Sequence, residues 1–362
     1  MRIFFGSGRG YLPDQVDGAI MSIHALFRQL RARGHDCEAY AGIETRNRAR
    51  IAVYRLRRLL TGRRTLGWAD RGNGYPTYRL WRILIPALIQ QRIGERRPDL
   101  VLTQLELCER IAGAATGLGV PAVLYVHDAE FEWLERTALD SNLLLLLSAS
   151  RFIATRVRER LGRETPVLYP IVEPERYRVA RRRGDYITLV NPVPKKGVEV
   201  AVEVARLLPH RRFLFVETWP LSPPARRELA GRLARLPNVT LRRPTSDMRS
   251  VYVDTALLLA PSQWEEAFGR VILEAQLNGI PVVASRRGGI PEVLEDGGTL
   301  LAATDPPGEW ARAIEAILGD ADAYWAMSRA AEANAARTDF LPAGITDRFL
   351  ELAAAHAAGV RS

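Results

Sequence analysis

Two carboxylates in the C-terminal third of the chain, Glu266 and Glu274, are separated by seven residues. The segment after the first of them opens as Ala267-Phe268-Gly269-Arg270, a loop of small and aromatic residues that leads into a predicted helix. Free backbone N–H groups at a helix start bind anions and polar ligands readily. Eight positions span about two helical turns, which predicts that Glu274 lies on roughly the same face as Glu266. The pair could therefore contact two parts of one extended polar ligand.

A second candidate site contains the two lysines of this arginine-rich chain. Of its 51 lysines and arginines, only Lys195 and Lys196 are lysines, and Gly197 follows them. A compact ammonium group suits a phosphate below a closely approaching backbone, where a planar guanidinium is bulkier. We therefore predict a phosphate-binding turn at this position, with chance placement of the lysines as the alternative.

The first half of the chain alternates strand-like and helix-like segments. Helices are predicted over Gly18–Arg33 and near Glu106–Gly117. Strands are predicted at Arg2–Phe5, Asp36–Ala41, Leu100–Thr103, Ala122–Val126, Phe152–Ala154 and Val167–Tyr169. This alternation is typical of an open, largely parallel sheet with helices on its faces.

A second series of strands and helices begins after the proline-containing segment 169–174. Its predicted strands are Tyr186–Val190, Phe213–Val216, Val239–Leu241, Ala256–Ala260 and Pro281–Ala284. We predict an α/β protein with two Rossmann-like domains facing a central cleft. The N-terminal domain would cover residues 1–172 and the C-terminal domain residues 173–340, and a helix in 341–362 would pack back on the N-terminal domain. Ligands of such sheets bind at the carboxyl ends of the strands.

The candidate residues all follow predicted strands. Gly18 lies after the first strand, and His127 ends the strand Ala122–Val126. Lys196 and Glu266 follow strands of the second half. A single histidine is usually a structural hydrogen-bonding residue, but its position beside these other polar groups favours a site.

Positive charge is concentrated between Arg46 and Arg97. This stretch holds 14 arginines against Asp70 and Glu95, so its own net charge is +12. Because the whole chain has a formal net charge of +10, the remaining residues carry −2. Such a field attracts anionic substrates or an anionic membrane surface. Interleaved apolar residues predict helices with a basic face, and a solvated face in an arginine-rich chain is the alternative. Nucleic acid is not favoured, because no nucleic-acid-binding motif accompanies the charge.

Length and composition limit the class of protein. The 362 residues suit two α/β domains, and Cys37 and Cys108 are too few for a disulfide framework or a metal cage. The sequence holds no run of 18 uncharged apolar residues, and it opens as a strand without a signal-peptide pattern. We therefore expect a cytoplasmic protein, with peripheral contact at the inner membrane face through residues 46–97 as a further expectation.

Taken together, these motifs resemble the retaining nucleotide-sugar glycosyltransferases of family GT4, which have the GT-B fold. The most specific parts are the Glu-x7-Glu block, Pro281-Val-Val-Ala-Ser285 and Gly288-Gly-Ile-Pro-Glu292. The resemblance extends in chain order through further segments: Asp17-Gly18, His127-Asp128, Ser150-Arg-Phe-Ile-Ala154, Tyr169-Pro170 and Lys196-Gly197. It covers most of the chain apart from the basic insert and the C-terminal tail.

The resemblance implies a role for each candidate residue. Glu274 would accept hydrogen bonds from the ribose, and Glu266 with the N–H groups of 267–269 would hold the donor sugar. Lys196 would neutralise the diphosphate with help from the Gly18 N–H and Arg270, while His127 would lie near the anomeric carbon. The family needs no metal or other cofactor, and retention is implied without an evident enzymic nucleophile.

One position departs from the family pattern. Many relatives carry an arginine five residues before the lysine, and this chain has Asn191 there. Losing a charge-assisted contact costs about 1.5–3 kcal/mol, so we expect Lys195 or Arg270 to compensate. The acceptor could be anionic, lipid-linked, a saccharide or a natural product. Alternative functions are a nucleotide-sugar epimerase, a phosphorylase, or a catalytically silent nucleotide- or nucleic-acid-binding protein.

Overall fold

The computed structural model describes residues 1–43, 68–130, 140–180 and 183–359, together with residues 52 and 56. Its contacts divide the chain into two units. The first contains Met1–Ile171 and the C-terminal helix that starts at Pro342, and the second is Val172–Leu341. None of the described helices is long and apolar enough to cross a membrane.

The first unit is built on one sheet, which has seven strands among the described residues. In spatial order they are β3-β4-β2-β1-β5-β6-β7. All neighbours are parallel except β3 and β4, which are antiparallel. The strands are β1 (Arg2–Ser7), β2 (Asp36–Gly42), β3 (Trp68–Asp70), β4 (Thr77–Leu80), β5 (Leu100–Thr103), β6 (Ala122–Val126) and β7 (Leu144–Ser148). The central strands are almost continuously apolar because helices cover both faces of a parallel sheet.

Five described helices belong to this unit. They are α1 (Gly18–Ala32), α2 (Ile85–Glu95), α3 (Cys108–Thr116), α4 (Arg151–Leu161) and the C-terminal α12 (Pro342–Gly359). Helix α1 begins where the Asp17 carboxylate accepts a hydrogen bond from the Ile20 N–H at 2.9 Å, which satisfies one of the free donors of its first turn. Helix α12 contacts α1, and the Arg33 guanidinium pairs with Asp347.

The predicted strand at Phe152–Ala154 is wrong, because these residues lie in α4. Ser150 caps this helix by accepting the Ile153 N–H at 3.1 Å. The strand is instead β7, the apolar run that ends at Ser148. Val167 forms only an isolated bridge with Ser148, so the strand predicted at Val167–Tyr169 is also absent from the described structure.

The second unit has a six-stranded sheet in the described residues, parallel throughout. Its order is β10-β9-β8-β11-β12-β13. The strands are β8 (Tyr186–Val190), β9 (Arg212–Val216), β10 (Val239–Arg242), β11 (Thr255–Ala260), β12 (Val282–Ser285) and β13 (Gly298–Leu301). The edge strand β13 was not predicted from the sequence, because Gly298-Thr-Leu-Leu is short and follows an acidic turn.

The second unit's helices are α5 (Val198–Leu207), α6 (Pro223–Leu233), α7 (Arg249–Tyr252), α8 (Arg270–Gln276), α9 (Ile290–Leu294), α10 (Pro307–Leu318) and α11 (Ala321–Ala335). A buried cluster between the sheet and α5, α6 and α10 includes Phe213, Phe215 and Trp310. Helix α8 starts only at Arg270, so Glu266 lies in the preceding loop. The prediction that both glutamates share one helical face is therefore wrong.

Most arginines in the described part of the basic insert have partners within their own unit. Arg79 is buried, pairs with Asp70 at 2.9 Å and Asp14 at 3.4 Å, and donates to the Tyr11 carbonyl at 3.3 Å. Four further arginines have partners in the same unit: Arg82 with Glu106, Arg92 with Glu38 and Glu95, Arg96 with Asp36 and Glu38, and Arg97 with the carbonyls of Leu118 and Gly119.

The helices predicted for the insert are only partly present among its described residues, because Thr77–Leu80 is strand β4 and Arg82–Leu84 is a 3-10 turn before α2. The other insert arginines, at 46, 48, 50, 55, 57, 58, 63 and 64, lie outside the described residues.

Candidate functional site

The main candidate site in the second unit lies at the carboxyl ends of β8 and β11. Lys196 ends the 3-10 turn after β8, and Glu266 lies in the loop after β11. The Glu266 Oε1 atom accepts hydrogen bonds from the Lys196 Nζ and from the Ser262 Oγ, the latter at 2.6 Å. The two charged side chains are only 15% and 12% exposed. The structure thus brings together the predicted phosphate cation and the predicted sugar-binding carboxylate.

Two glycines allow this close approach. Gly197 has φ +78°, and a Cβ there would lie 1.9 Å from the Pro261 carbonyl oxygen. A Cβ at Gly288 would lie 2.2 Å from the Glu266 carbonyl oxygen. Larger residues would separate the loops, so both glycines are needed to hold Lys196 and Glu266 in contact.

Glu274 lies in a buried network of its own on α8. Its Oε2 accepts the Tyr252 hydroxyl at 2.9 Å, and its Oε1 is 3.7 Å from the Arg270 Nε. The Arg270 guanidinium also donates to the Tyr177 hydroxyl at 3.4 Å. Burial raises the pKa of Glu274, although the Arg270 charge and the tyrosine hydrogen bonds oppose this shift.

The two tyrosines of this network remain hydrogen-bond donors over the ordinary pH range. Burial and the nearby Glu274 charge raise the pKa of both Tyr177 and Tyr252. Arg270 contacts Glu274 in α8 and Tyr177 in the segment before β8. Its predicted contribution to phosphate binding would require it to leave or share these contacts.

The loop residues between the two glutamates contribute mainly through their backbone. Phe268 is buried and packs edge-on against Phe340, with ring centroids 5.9 Å apart. Gly269 has φ +92° and immediately precedes α8. The Ala267 carbonyl lies so close to Gly289 that a Cβ there would approach it to 2.6 Å. The loop therefore has one well-packed conformation beside Glu266.

Asn191 holds the loop that follows β9. Its φ is +59°, a left-handed conformation that asparagine adopts more readily than most residues. Its Oδ1 accepts three hydrogen bonds of 2.8 Å each, from the Thr218 N–H, the Thr218 hydroxyl and the Trp219 N–H. The residue that replaces the family's arginine therefore has a defined structural task.

Two tryptophans that sequence reasoning missed lie beside the lysines. The Lys195 Nζ is 4.3 Å from the Trp264 ring centroid and 5.2 Å from that of Trp219. The Lys196 Nζ is also 5.2 Å from the Trp219 centroid. A sequence signal existed, since each tryptophan follows a predicted strand of the second half within a few residues.

The remaining predicted residues, His127 and Gly18, belong to the first unit. His127 directly follows β6, is buried, and contacts the Tyr125 ring at a centroid distance of 3.8 Å. Gly18 is the first residue of α1, next to the Asp17 cap. His127 therefore lies at the carboxyl end of β6, whereas residues 8–17 separate Gly18 from the end of β1.

Two models of known protein families match this chain, one over each unit. Residues 16–176 match the model described as Glycosyltransferase Family 4, and residues 186–320 match the model described as Glycosyl transferases group 1. Together the two models cover most of both units.

Curated relatives are similar over part of the chain. One is a D-inositol 3-phosphate glycosyltransferase of Mycolicibacterium paratuberculosis, 34% identical over 191 residues, which are 47% of this chain and 43% of the relative. Another, of the same name, from Corynebacterium kroppenstedtii is 41% identical over 97 residues, 26% of this chain and 21% of the relative. The chain thus spans less than half the length of these curated relatives.

Solved structures match over almost the whole chain. The Anabaena protein HepE in complex with UDP-glucose has a TM-score of 0.75 and 19% identity, covering 98% of this chain and 100% of HepE. Sucrose-phosphate synthase from Thermosynechococcus elongatus has a TM-score of 0.79 and 16% identity, covering 99% of each chain. At this identity the likeness shows the fold. The family models match both units, which shows that the chain belongs to the glycosyltransferases of Family 4 and group 1, and the two sheets together with these structures show the GT-B fold.

Proposed function

We propose that the protein is a retaining glycosyltransferase that moves a sugar from a nucleoside diphosphate to an acceptor hydroxyl without a required metal. The observation that carries this proposal is the contact between Lys196 and Glu266. A cation and a carboxylate, which suit a phosphate and sugar hydroxyls respectively, lie side by side in a mostly buried place. The description of HepE in complex with UDP-glucose supports a nucleotide-sugar donor.

In this proposal the donor extends across the described groups of the second unit. Lys196 binds the diphosphate, Glu266 and the backbone of 267–269 bind the sugar, and Glu274 accepts from the ribose hydroxyls. The main role of Arg270 in this proposal is to orient Glu274 through their 3.7 Å ion pair, and not to bind the phosphate.

The reaction breaks the bond between the anomeric carbon and the diphosphate oxygen and forms one to the acceptor oxygen on the same face. The acceptor proton passes to the departing diphosphate oxygen. Negative charge develops on the leaving group, and fixed cations and donors stabilise it most effectively in a site that excludes water. The Lys196 ammonium can supply the stabilising positive charge, which is why the proposal requires no metal.

Thermal-shift screening against UDP, GDP, ADP, TDP and their sugars tests donor binding, because a ligand of the folded state raises Tm by mass action. The stabilising donor is then incubated with acceptors, and the anomeric configuration of the product is read by NMR. An inverted product would refute retention, and loss of turnover in EDTA would refute metal independence. Absence of binding by every nucleotide would refute the proposal itself.

For the acceptor we propose a polar molecule that carries an anionic group. The names of the curated relatives include an inositol phosphate, and the insert 46–97 is strongly basic. Sugar transfer to a polyol phosphate should exceed transfer to the free polyol by at least tenfold, since a charge-assisted contact is worth about 1.5–3 kcal/mol. Equal transfer to both would remove the anionic group from the proposal.

We also propose that the insert can rest on an anionic membrane. The exposed Ile83 and Leu84 directly follow the exposed Arg82 in the described part of the insert. Each basic residue near such a surface adds about 1 kcal/mol of attraction. Cosedimentation with vesicles containing anionic lipid should therefore fall steeply with salt, whereas salt-independent or absent binding would contradict membrane contact.

A further inference from the structure

The loop after β9 is held at both of its ends. Asn191 accepts three hydrogen bonds from Thr218 and Trp219, as described above. The buried Glu217 accepts the Leu221 N–H at 3.1 Å, and its carboxylate pairs with Arg226. Trp219 is therefore presented by a segment that is anchored on either side.

The Trp219 ring is a shared contact for both lysines. Each ammonium nitrogen lies 5.2 Å from the ring centroid, so the two nitrogens are at most twice that distance apart. Aromatic faces attract cations at such distances. Trp264 contacts Lys195 from another side at 4.3 Å, which restrains a side chain that would otherwise move freely in solvent.

The two lysines differ in how their charge is matched. The Lys196 ammonium already faces the Glu266 carboxylate. Lys195 is exposed, and it takes part in no ion pair among residues that the structure describes. The positive charge that remains available for an incoming anion at this turn is therefore mainly that of Lys195.

We propose that Trp219 is a positioning residue that gathers the two lysines into one diphosphate clamp, and that Asn191 anchors the loop that carries it. Lys195 supplies the second cation that the family's arginine would otherwise provide. In this chain Asn191 anchors a loop, and Lys195 in the turn after β8 provides the second positive charge. This inference rests on the proposed function, because it assumes that Lys196 binds the donor diphosphate.

The test compares affinity for phosphate-bearing and phosphate-free probes. Wild type, Lys195→Met, Trp219→Leu and Trp219→Phe are titrated by calorimetry with the nucleoside diphosphate that stabilises wild type most, with its nucleoside, and with inorganic pyrophosphate. Arg312→Met, which removes an exposed charge from α10 of the same unit, is the matched control. Thermal unfolding of each variant verifies that it is folded.

We expect Lys195→Met to weaken nucleoside diphosphate and pyrophosphate binding by about tenfold and nucleoside binding by less than twofold. Trp219→Leu should weaken the phosphate probes about two- to fivefold, and Trp219→Phe should retain affinity because it keeps an aromatic face. In the double variant Lys195→Met/Trp219→Leu the losses should be less than multiplicative, because only the Trp219 contact with Lys196 remains to be lost, and Arg312→Met should match wild type.

Two results would overturn the inference. The first is independent, multiplicative losses in the double variant, and the second is an equal loss of nucleoside and nucleoside diphosphate binding in Trp219→Leu. If Lys196→Ala abolishes binding while Lys195→Met does not, this inference fails and the proposed function survives. If wild type binds none of the nucleotides or pyrophosphate, the proposed function fails with it.

Discussion

Replacing Glu266 with glutamine should separate binding of the nucleoside diphosphate from binding of its sugar. In the structure the Glu266 carboxylate holds the Lys196 ammonium, and both side chains are largely buried. A diphosphate must share that ammonium with the carboxylate. Glu266→Gln removes the competing negative charge and keeps the shape of the side chain.

The size of the effect follows from distance and exposure. A carboxylate and a phosphate that contact the same ammonium lie roughly 6 Å apart, where two unit charges repel by about 3 kcal/mol at an effective dielectric of 20. Salt and the partial exposure reduce this to about 1–1.4 kcal/mol, or a five- to tenfold gain in nucleoside diphosphate affinity. For the nucleotide sugar, the loss of charge-assisted bonds to hydroxyls offsets that gain by about 1–2 kcal/mol.

The assay measures both dissociation constants for wild type and variant by calorimetry. The ratio of nucleotide-sugar to nucleoside diphosphate affinity should fall by about five- to thirtyfold in Glu266→Gln. Arg312→Met, which removes an exposed charge from α10 outside this site, should leave the ratio unchanged. Equal weakening of both ligands in Glu266→Gln would refute the reasoning, because it would make Glu266 only a structural support for Lys196.

Three further predictions follow from the described contacts. Lys196→Ala should lower turnover of the nucleotide sugar by more than tenfold in a steady-state assay, and a loss within about threefold would remove Lys196 from the phosphate site. Because burial raises the pKa of Glu274, the free energy of unfolding should fall as pH rises from the ordinary glutamate pKa of 4.5 to that raised pKa, while nucleotide affinity rises. Denaturant titrations and calorimetry at several pH values should show a weaker pH dependence of both the unfolding free energy and the nucleotide affinity in Glu274→Gln. If neither pH dependence changes, the Glu274 carboxyl is not the group responsible. Arg79→Met should destabilise the first unit by about 3–5 kcal/mol in urea, because the buried guanidinium is lost together with its ion pairs to Asp14 and Asp70, whereas exposed Arg71→Met should stay within about 0.5 kcal/mol.

The sequence predicted the fold because its local signals agree with the tertiary structure. Buried strands such as β1 are almost continuously apolar, and Asp17 marks the start of α1 by a side-chain hydrogen bond. The strand placed at Phe152–Ala154 failed for a local reason, because Ser150 caps a helix there. Apolar character alone does not distinguish a short strand from the buried turn of a helix.

The contacts within the candidate site could not be predicted from the sequence. The contact of Lys196 with Glu266 spans 70 positions of sequence, and no local pattern encodes it. Asn191 looked like a missing cation, since a sequence shows the residue type and not the three donors that converge on its Oδ1. The role of Arg270 was likewise obscured, because its partner Tyr177 lies in a different segment.

Because lysine is so scarce, reagents that modify amines should label this protein selectively at one turn. Its only two ε-amino groups lie in the turn after β8, and the α-amino group of Met1 already contacts His35 at 3.0 Å. The exposed Lys195 should acylate well before Lys196, whose ammonium is mostly buried against Glu266. A single mass-shifted peptide would therefore report occupancy of the turn directly, and ligands that fill it should protect that peptide from labelling.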